Sequence, residues 1–186
     1  LVPLVQISEN GFVFAVNERQ PWRTMGELVE VARSAPDGIS YASPGIGTVM
    51  HLAGQLFNVE YGTRFVNVPY KGQAPIITDV IGNQLDFALV DLGGAMPLIK
   101  GGKIKALAVT GEARNAELPQ VPTIRERGFN DYVQYSWASF YVHMQTPDDV
   151  TAKLAAALQT ALQAPSAKEF VRKTGGELMA YGPEQM

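Results

Sequence analysis

The sequence has no cysteine, two histidines and two tryptophans. Without thiols there is neither a disulfide framework nor a thiolate metal site. No Asp, Glu or Cys stands at metal-ligand spacing from His51, so a metal centre is not expected. No apolar run approaches the roughly 20 residues needed to cross a bilayer. Charge is nearly balanced, with 15 basic against 18 acidic residues and a net charge of −3. The basic residues are scattered, which argues against nucleic acid as a partner. Catalytic signatures are missing as well. There is no Gly-x-Ser-x-Gly elbow, no Gly-Lys-Ser/Thr phosphate loop and no pair of carboxylates in a common loop.

What is present is a chain of 186 residues, 46% of them hydrophobic, with 18 glycines and 12 prolines. That is enough for one full domain, or one domain and part of another. The chain begins with Leu1 rather than Met, so a missing leader says nothing about compartment. Near the other end, Tyr181–Gln185 reads as a helix start, with Pro183 at the first helical position. Both ends are expected to continue in a longer parent.

Between them, β-prone and helical segments alternate. Residues 11–17 (GFVFAVN) read as a strand. A Thr24–Glu27 capping box opens a helix carrying Leu28, Val29, Val31 and Ala32. Strands follow at 39–42, 65–68, 85–90 and 104–110, and helices at about 48–61, 74–81 and 95–99. LDFALV is apolar on both faces, the mark of a sheet covered on both sides. The expected fold is α/β, a parallel or mixed sheet flanked by helices. Beyond it come a short helix at Thr123–Arg127, a strand at Tyr135–Val142 and helices at 150–162 and about 167–174. Thr146 is expected to cap the first of these two helices. Its Leu154, Leu158 and Ala161 stripe needs a partner to bury it.

In an open parallel sheet, ligands bind beyond the C-terminal strand ends. Three strand-to-helix loops belong there: Ser43–Thr48, Tyr70–Gln73 and Asp91–Gly94. Gly45, Gly47 and Gly72 let backbone N–H groups approach a ligand. Ser43, Thr48, Tyr70, Gln73 and Asp91 add side-chain hydrogen bonds. Gly45-x-Gly47 lacks the third glycine of a dinucleotide fingerprint. It either makes a tight turn or, with the positive helix end behind it, seats a carboxylate. His51, one turn into that helix, either reaches a ligand or packs and caps. Lys71 either neutralises an anion or is simply solvated. Asp91 either takes a ligand hydroxyl or amine or caps the next helix at Gly93. His143 reads as structural, and Tyr135 and Trp137 read as core or hinge packing.

Six segments occur in order: Tyr41-Ala-Ser-Pro-Gly-Ile-Gly-Thr48-x-x-His51-Leu, Val68-Pro-Tyr-Lys-Gly-Gln-Ala-Pro75, Asp79-x-x-x-Gly82-x-x-x-Asp86, Pro97-x-Ile-Lys-x-Gly-Lys103, Leu107-Ala-Val-Thr110 and Pro119-x-Val-Pro-Thr123. Together they resemble the Bug-type receptors, the solute-binding components of tripartite tricarboxylate transporters. The resemblance implies a periplasmic protein of the type II binding-protein class, with two α/β lobes around a ligand cleft. It implies no enzyme activity and no cofactor, and it implies membrane permease subunits as partners. The ligand would be a small organic carboxylate: a di- or tricarboxylate, an amino acid or an aromatic acid. It would meet the Ser43–Thr48 loop with Tyr70–Gln73 nearby. Thr48 and Gln73 stand where Ser is frequent in the family. On this reading residues 8–133 form the second lobe. Residues 1–7 and 134–186 are hinge strands and helices that pack on a first lobe. A ligand-sensing domain of a transcription regulator shares this architecture and is the alternative. A doubly wound enzyme is a third class, disfavoured by the missing catalytic groups.

Overall fold

A computed structural model describes residues 1–130 and 132–185. Its organising element is one long strand, β1 (Val2–Asn17), whose two halves belong to different sheets. From Phe12 onward β1 lies antiparallel between β4 (Phe87–Asp91) and β5 (Ile104–Val109). Beyond β4 come β2 (Ile39–Ser43) and then β3 (Phe65–Pro69), giving the order β3-β2-β4-β1-β5. β2 runs parallel to both β3 and β4. The sheet is therefore mixed, as the sequence reading allowed.

Period-2 alternation divides the interior into two layers. Phe12, Phe14 and Val16 face one way with Tyr41, Phe87 and Leu89. That layer is covered by α1 (Met25–Ser34) and α2 (Val49–Tyr61). Val13 and Ala15 face the other way with Ala42, Ala88 and Val90, under α3 (Gln73–Ile81) and α4 (Leu92–Lys100). The first layer is aromatic. The Phe57 ring of α2 meets those of Phe14, Tyr61, Phe65, Phe129 and Tyr132, with centroids 4.5–5.9 Å apart. α2 lies close on β2 because Gly54 has no side chain. A Cβ there would stand 2.2 Å from the Tyr41 ring.

The first half of β1 pairs on one side with β6 (Tyr135–Val142) and on the other with β7 (Gly176–Tyr181). α5 (Asp148–Gln163) and α6 (Pro165–Lys173) connect those two strands. The β6 bounds agree with the sequence reading.

Several elements differ from that reading. β1 reaches back to Val2, because β6 and β7 pair with a stretch that has little strand character of its own. β7 occupies a stretch to which the sequence reading assigned no element. Residues 183–185 form a turn rather than a helix start. α4 begins at Leu92, so Gly93 and Gly94 lie in its first turn and the third loop shrinks to a helix entry. Pro147, not Thr146, is the N-cap residue of α5, and no side chain caps it. The Thr123 region forms a reciprocal capping box with Glu126, but the helical turn spans only Arg125–Arg127. In the Thr24 box, Thr24 Oγ1 accepts the Glu27 N–H as expected, whereas the Glu27 carboxylate reaches Arg23 N. The α5 stripe is left largely uncovered: Leu154 and Ala161 are exposed and Leu158 is half-buried, while the neighbouring Leu162 is buried.

Candidate functional site

Because β2, β3 and β4 are parallel, the helices that follow them all start at the same sheet edge. This edge brings together the Ser43–Thr48 loop, the Tyr70–Gln73 loop and the Asp91 entry to α4. The N-termini of α2, α3 and α4 carry partial positive charge toward it.

The first loop is folded on itself. The Gly45 carbonyl accepts from Ser43 Oγ (3.3 Å) and from Thr48 Oγ1 (2.7 Å). Asn67 Nδ2 on β3 donates to the fully buried Ser43 Oγ at 2.9 Å. Thr48 is the N-cap of α2 and its hydroxyl takes the His51 N–H. Gly47, at φ 84°, donates its N–H to His51 Nδ1 at 3.3 Å. His51 thus braces the loop. The Val49 and Met50 amides lie in the first turn, where the helix offers no carbonyl partner.

In the second loop the Tyr70 hydroxyl turns away from the edge and donates to Asp79 Oδ2 at 2.6 Å. That bond, helped by desolvation and the Asp79 charge, pushes the phenol up to about 12. Gly72 is the N-cap of α3 at φ 104°, with open space where a side chain would project and no capping side chain. Gln73 and Ala74 have first-turn amides, and Pro75 has none to satisfy. Lys71 is exposed.

At the third position Asp91 is the N-cap residue of α4, but its carboxylate makes no capping bond to Gly93. Oδ1 instead accepts from Ser136 Oγ of β6 at 3.1 Å. With its amide turned so that the nitrogen faces the carboxylate, Gln73 donates to Asp91 Oδ2 (2.7 Å) and accepts from Asp91 N (3.0 Å). Burial raises the Asp91 carboxyl above its ordinary value, and the Ser136 bond opposes that shift. Beside it lies a cavity of about 370 Å³ lined by Asn10, Asp91, Gly93, Gly94, Ala138 and Phe170.

The edge therefore unites Ser43, Gly45, Gly47, Thr48, His51, Tyr70, Lys71, Gly72, Gln73 and Asp91 along the loops, but most of their polar side chains bond within the protein. Beside them stand the first-turn backbone amides of α2 and α3. Four supporting residues escaped the sequence reading: Asn67, Asp79, Ser136 and Thr110. Thr110 Oγ1 accepts the Phe12 N–H and donates to Gln134 O, tying β1 and β5 to the segment before β6. Asp79 and Thr110 were visible within motifs, although nothing local linked Asp79 to Tyr70 or Thr110 to Phe12 and Gln134. Among the described residues no group of three acidic, His or Cys side chains could hold a metal. Among the described residues no helix is long and apolar enough to cross a membrane.

The chain matches the family model of the tripartite tricarboxylate transporter family receptor over residues 1–186. A protein from the TAR-I ttuE-ttuC' intergenic region of Agrobacterium vitis is 35% identical over 153 residues, covering 82% of this chain and 44% of that one. BugT of Bordetella pertussis is 24% identical across 100% of this chain and 57% of its own length. Among solved structures, the periplasmic binding protein BugD superposes with a TM-score of 0.90 at 30% identity, over 98% of this chain and 62% of that one. An R. palustris protein solved with adipate gives 0.92 at 28% identity, over 100% and 62%. MatC from Rhodopseudomonas palustris, solved with malate, gives 0.88 at 25%, over 99% and 62%. The chain thus spans about half the length of the curated relatives it matches.

Proposed function

The chain belongs to the tripartite tricarboxylate transporter receptor family, and from that premise we propose that it forms the carboxylate-holding lobe of a periplasmic solute receptor. The observation that carries the proposal is the shared start of α2, α3 and α4 at one sheet edge, where α3 and α4 have no side-chain cap and Thr48 on α2 takes only the His51 amide. A carboxylate suits such donors, since it brings negative charge and up to four lone-pair directions to the positive helix ends. Its seat is the Ser43–Thr48 loop, with Gly72 and Gln73 alongside. Adipate and malate in the related structures belong to the same chemical class. Backbone amides do not distinguish one acid from another. Choice among dicarboxylates, tricarboxylates, amino acids and aromatic acids then falls to the rest of the cleft.

The lobe comprises β2–β5, α1–α4 and the second half of β1. Pairing partners of β1 change near Gly11 and Phe12, which favours a border there over one at residue 8. β6, β7, α5 and α6 pack with a first lobe, and closure of the two lobes presents a surface to the membrane permease subunits. Binding and delivery involve no chemical step and no cofactor.

Calorimetry of the full-length protein against malate, succinate, citrate, adipate, glutamate and benzoate tests this. At least one acid should bind, and Gly47→Val with Thr48→Ala should weaken it by roughly tenfold or more, about 1.4 kcal/mol. Absence of binding by every acid, or unchanged affinity in the double variant, overturns the proposal.

A further inference from the structure

The geometry points to His51 as a positioning residue whose proton sets how many amide donors the Gly45–Thr48 loop turns toward a bound carboxylate. The inference rests on the carboxylate seat proposed above. Gly47 lies mid-loop and its N–H is directed inward, to His51 Nδ1. That nitrogen can accept only while it carries no proton. Once the imidazole is protonated both ring nitrogens donate, and the contact sets one N–H against another. The Gly47 amide is then released.

The rest of the loop does not depend on this bond. Ser43 and Thr48 hydroxyls hold the Gly45 carbonyl, Asn67 holds Ser43, and Thr48 caps α2. Protonation therefore frees one donor without unfolding the seat.

Charge acts in the same direction. His51 sits in the first turn of α2, beside the proposed seat. A bound carboxylate attracts an imidazolium and gains the freed amide as well. By linkage, a ligand that favours protonated His51 binds more tightly as protons become available. Few other groups compete. Of the strands against α2, β3 carries no titratable side chain. β2 carries only Tyr41, whose hydroxyl donates to the His51 carbonyl at 2.8 Å. Along the edge, Tyr70 is bonded to Asp79 and Asp91 to Ser136 and Gln73, while Lys71 is exposed. Within α2 itself Glu60 and Tyr61 stand at the far end. No recorded ion pair involves His51 among the described residues.

The test uses the full-length protein and whichever acid of the calorimetric panel binds. From about pH 8 to about pH 5.5, across the imidazole range, wild-type affinity should rise roughly three- to tenfold, a change of the size expected for one partly screened charge. Binding measured in buffers of different ionisation enthalpy should show proton uptake. Once the acid's own ionisation is subtracted, His51→Gln should abolish both the slope and the uptake. In wild-type protein the Gly47 amide resonance should shift with the midpoint of the His51 ring protons, a readout that needs no variant to fold. A flat wild-type profile, a slope retained in His51→Gln, or a Gly47 amide indifferent to the imidazole overturns the inference while leaving the carboxylate seat standing. Failure of every acid to bind at any pH overturns the seat, and the inference with it.

Discussion

The two halves of β1 make a comparison within a single strand. Phe12 to Val16 are at most 2% exposed, packed on both faces by four helices. The earlier half lies between β6 and β7, and its neighbourhood is covered unevenly. Leu4 and Val5 are buried there, yet Trp137, Phe140, Leu154 and Phe170 remain exposed, Trp137 at 61% and Phe170 at 69%. One region completes a two-layer core from its own residues. The other makes its backbone hydrogen bonds internally but leaves large side chains without apolar neighbours. Main-chain pairing and side-chain burial are thus met separately in this molecule, and only the first region meets both.

Substitutions can break that contrast, and the largest effect is expected at its centre. Phe57→Ala removes the ring that joins five others and should cost about 3–5 kcal/mol, read as a lower urea midpoint. Gly54→Ala tests the close approach of α2 to β2. The added methyl overlaps the Tyr41 ring, and overpacking should cost about 1–3 kcal/mol. Combining it with Tyr41→Leu should recover part of the loss in melting temperature.

Asp91 stands at the join between the halves, and its prediction depends on pH. Its raised carboxyl means that the folded state holds the proton more tightly than the unfolded chain does. Stability on this account is full below the unfolded value and falls as pH rises through the folded one. Asp91→Asn keeps an acceptor for Ser136 and removes the buried charge. It should melt a few degrees higher at neutral pH, with the gain vanishing below about pH 3.9. Smallest is Leu154→Ser on the exposed α5 face. A change under about 0.5 kcal/mol is expected in this chain, and a loss comparable to that of Phe57→Ala would erase the contrast.

The same contrast governs what could be read beforehand. In the self-contained region, local signals coincide with the fold. Thr24 and Thr48 cap their helices, and Gly62 ends α2 in the left-handed conformation at φ 63°. Outside it, strand formation is decided by distant partners. LVPLVQISEN has a proline and several polar residues, and becomes half of β1 because β6 and β7 flank it. The first turn of α4 escaped for a related reason. Glycines in its first turn lower its propensity, but Gly93 lies against the Thr174 backbone, where a Cβ would be 2.4 Å from the carbonyl oxygen. Candidate site residues were legible as loop positions at a common edge. The use of their side chains was not, because the partners come from other elements: Asn67 for Ser43, Asp79 for Tyr70 and Ser136 for Asp91. Sequence spacing revealed where donors gather but not which are already engaged.

The shared strand also has a consequence for synthesis. Gln6 pairs with Ser139 and with Tyr181, so β1, once made, waits for two strands that follow it far along the chain. At translation rates of roughly 5–20 residues per second that wait is on the order of ten seconds. Through it both edges of the first half of β1 are open, ready to pair with another nascent chain. Gln6, Glu9 and Asn10 then serve as polar gatekeepers on a template that closes only when β6 and β7 return to β1.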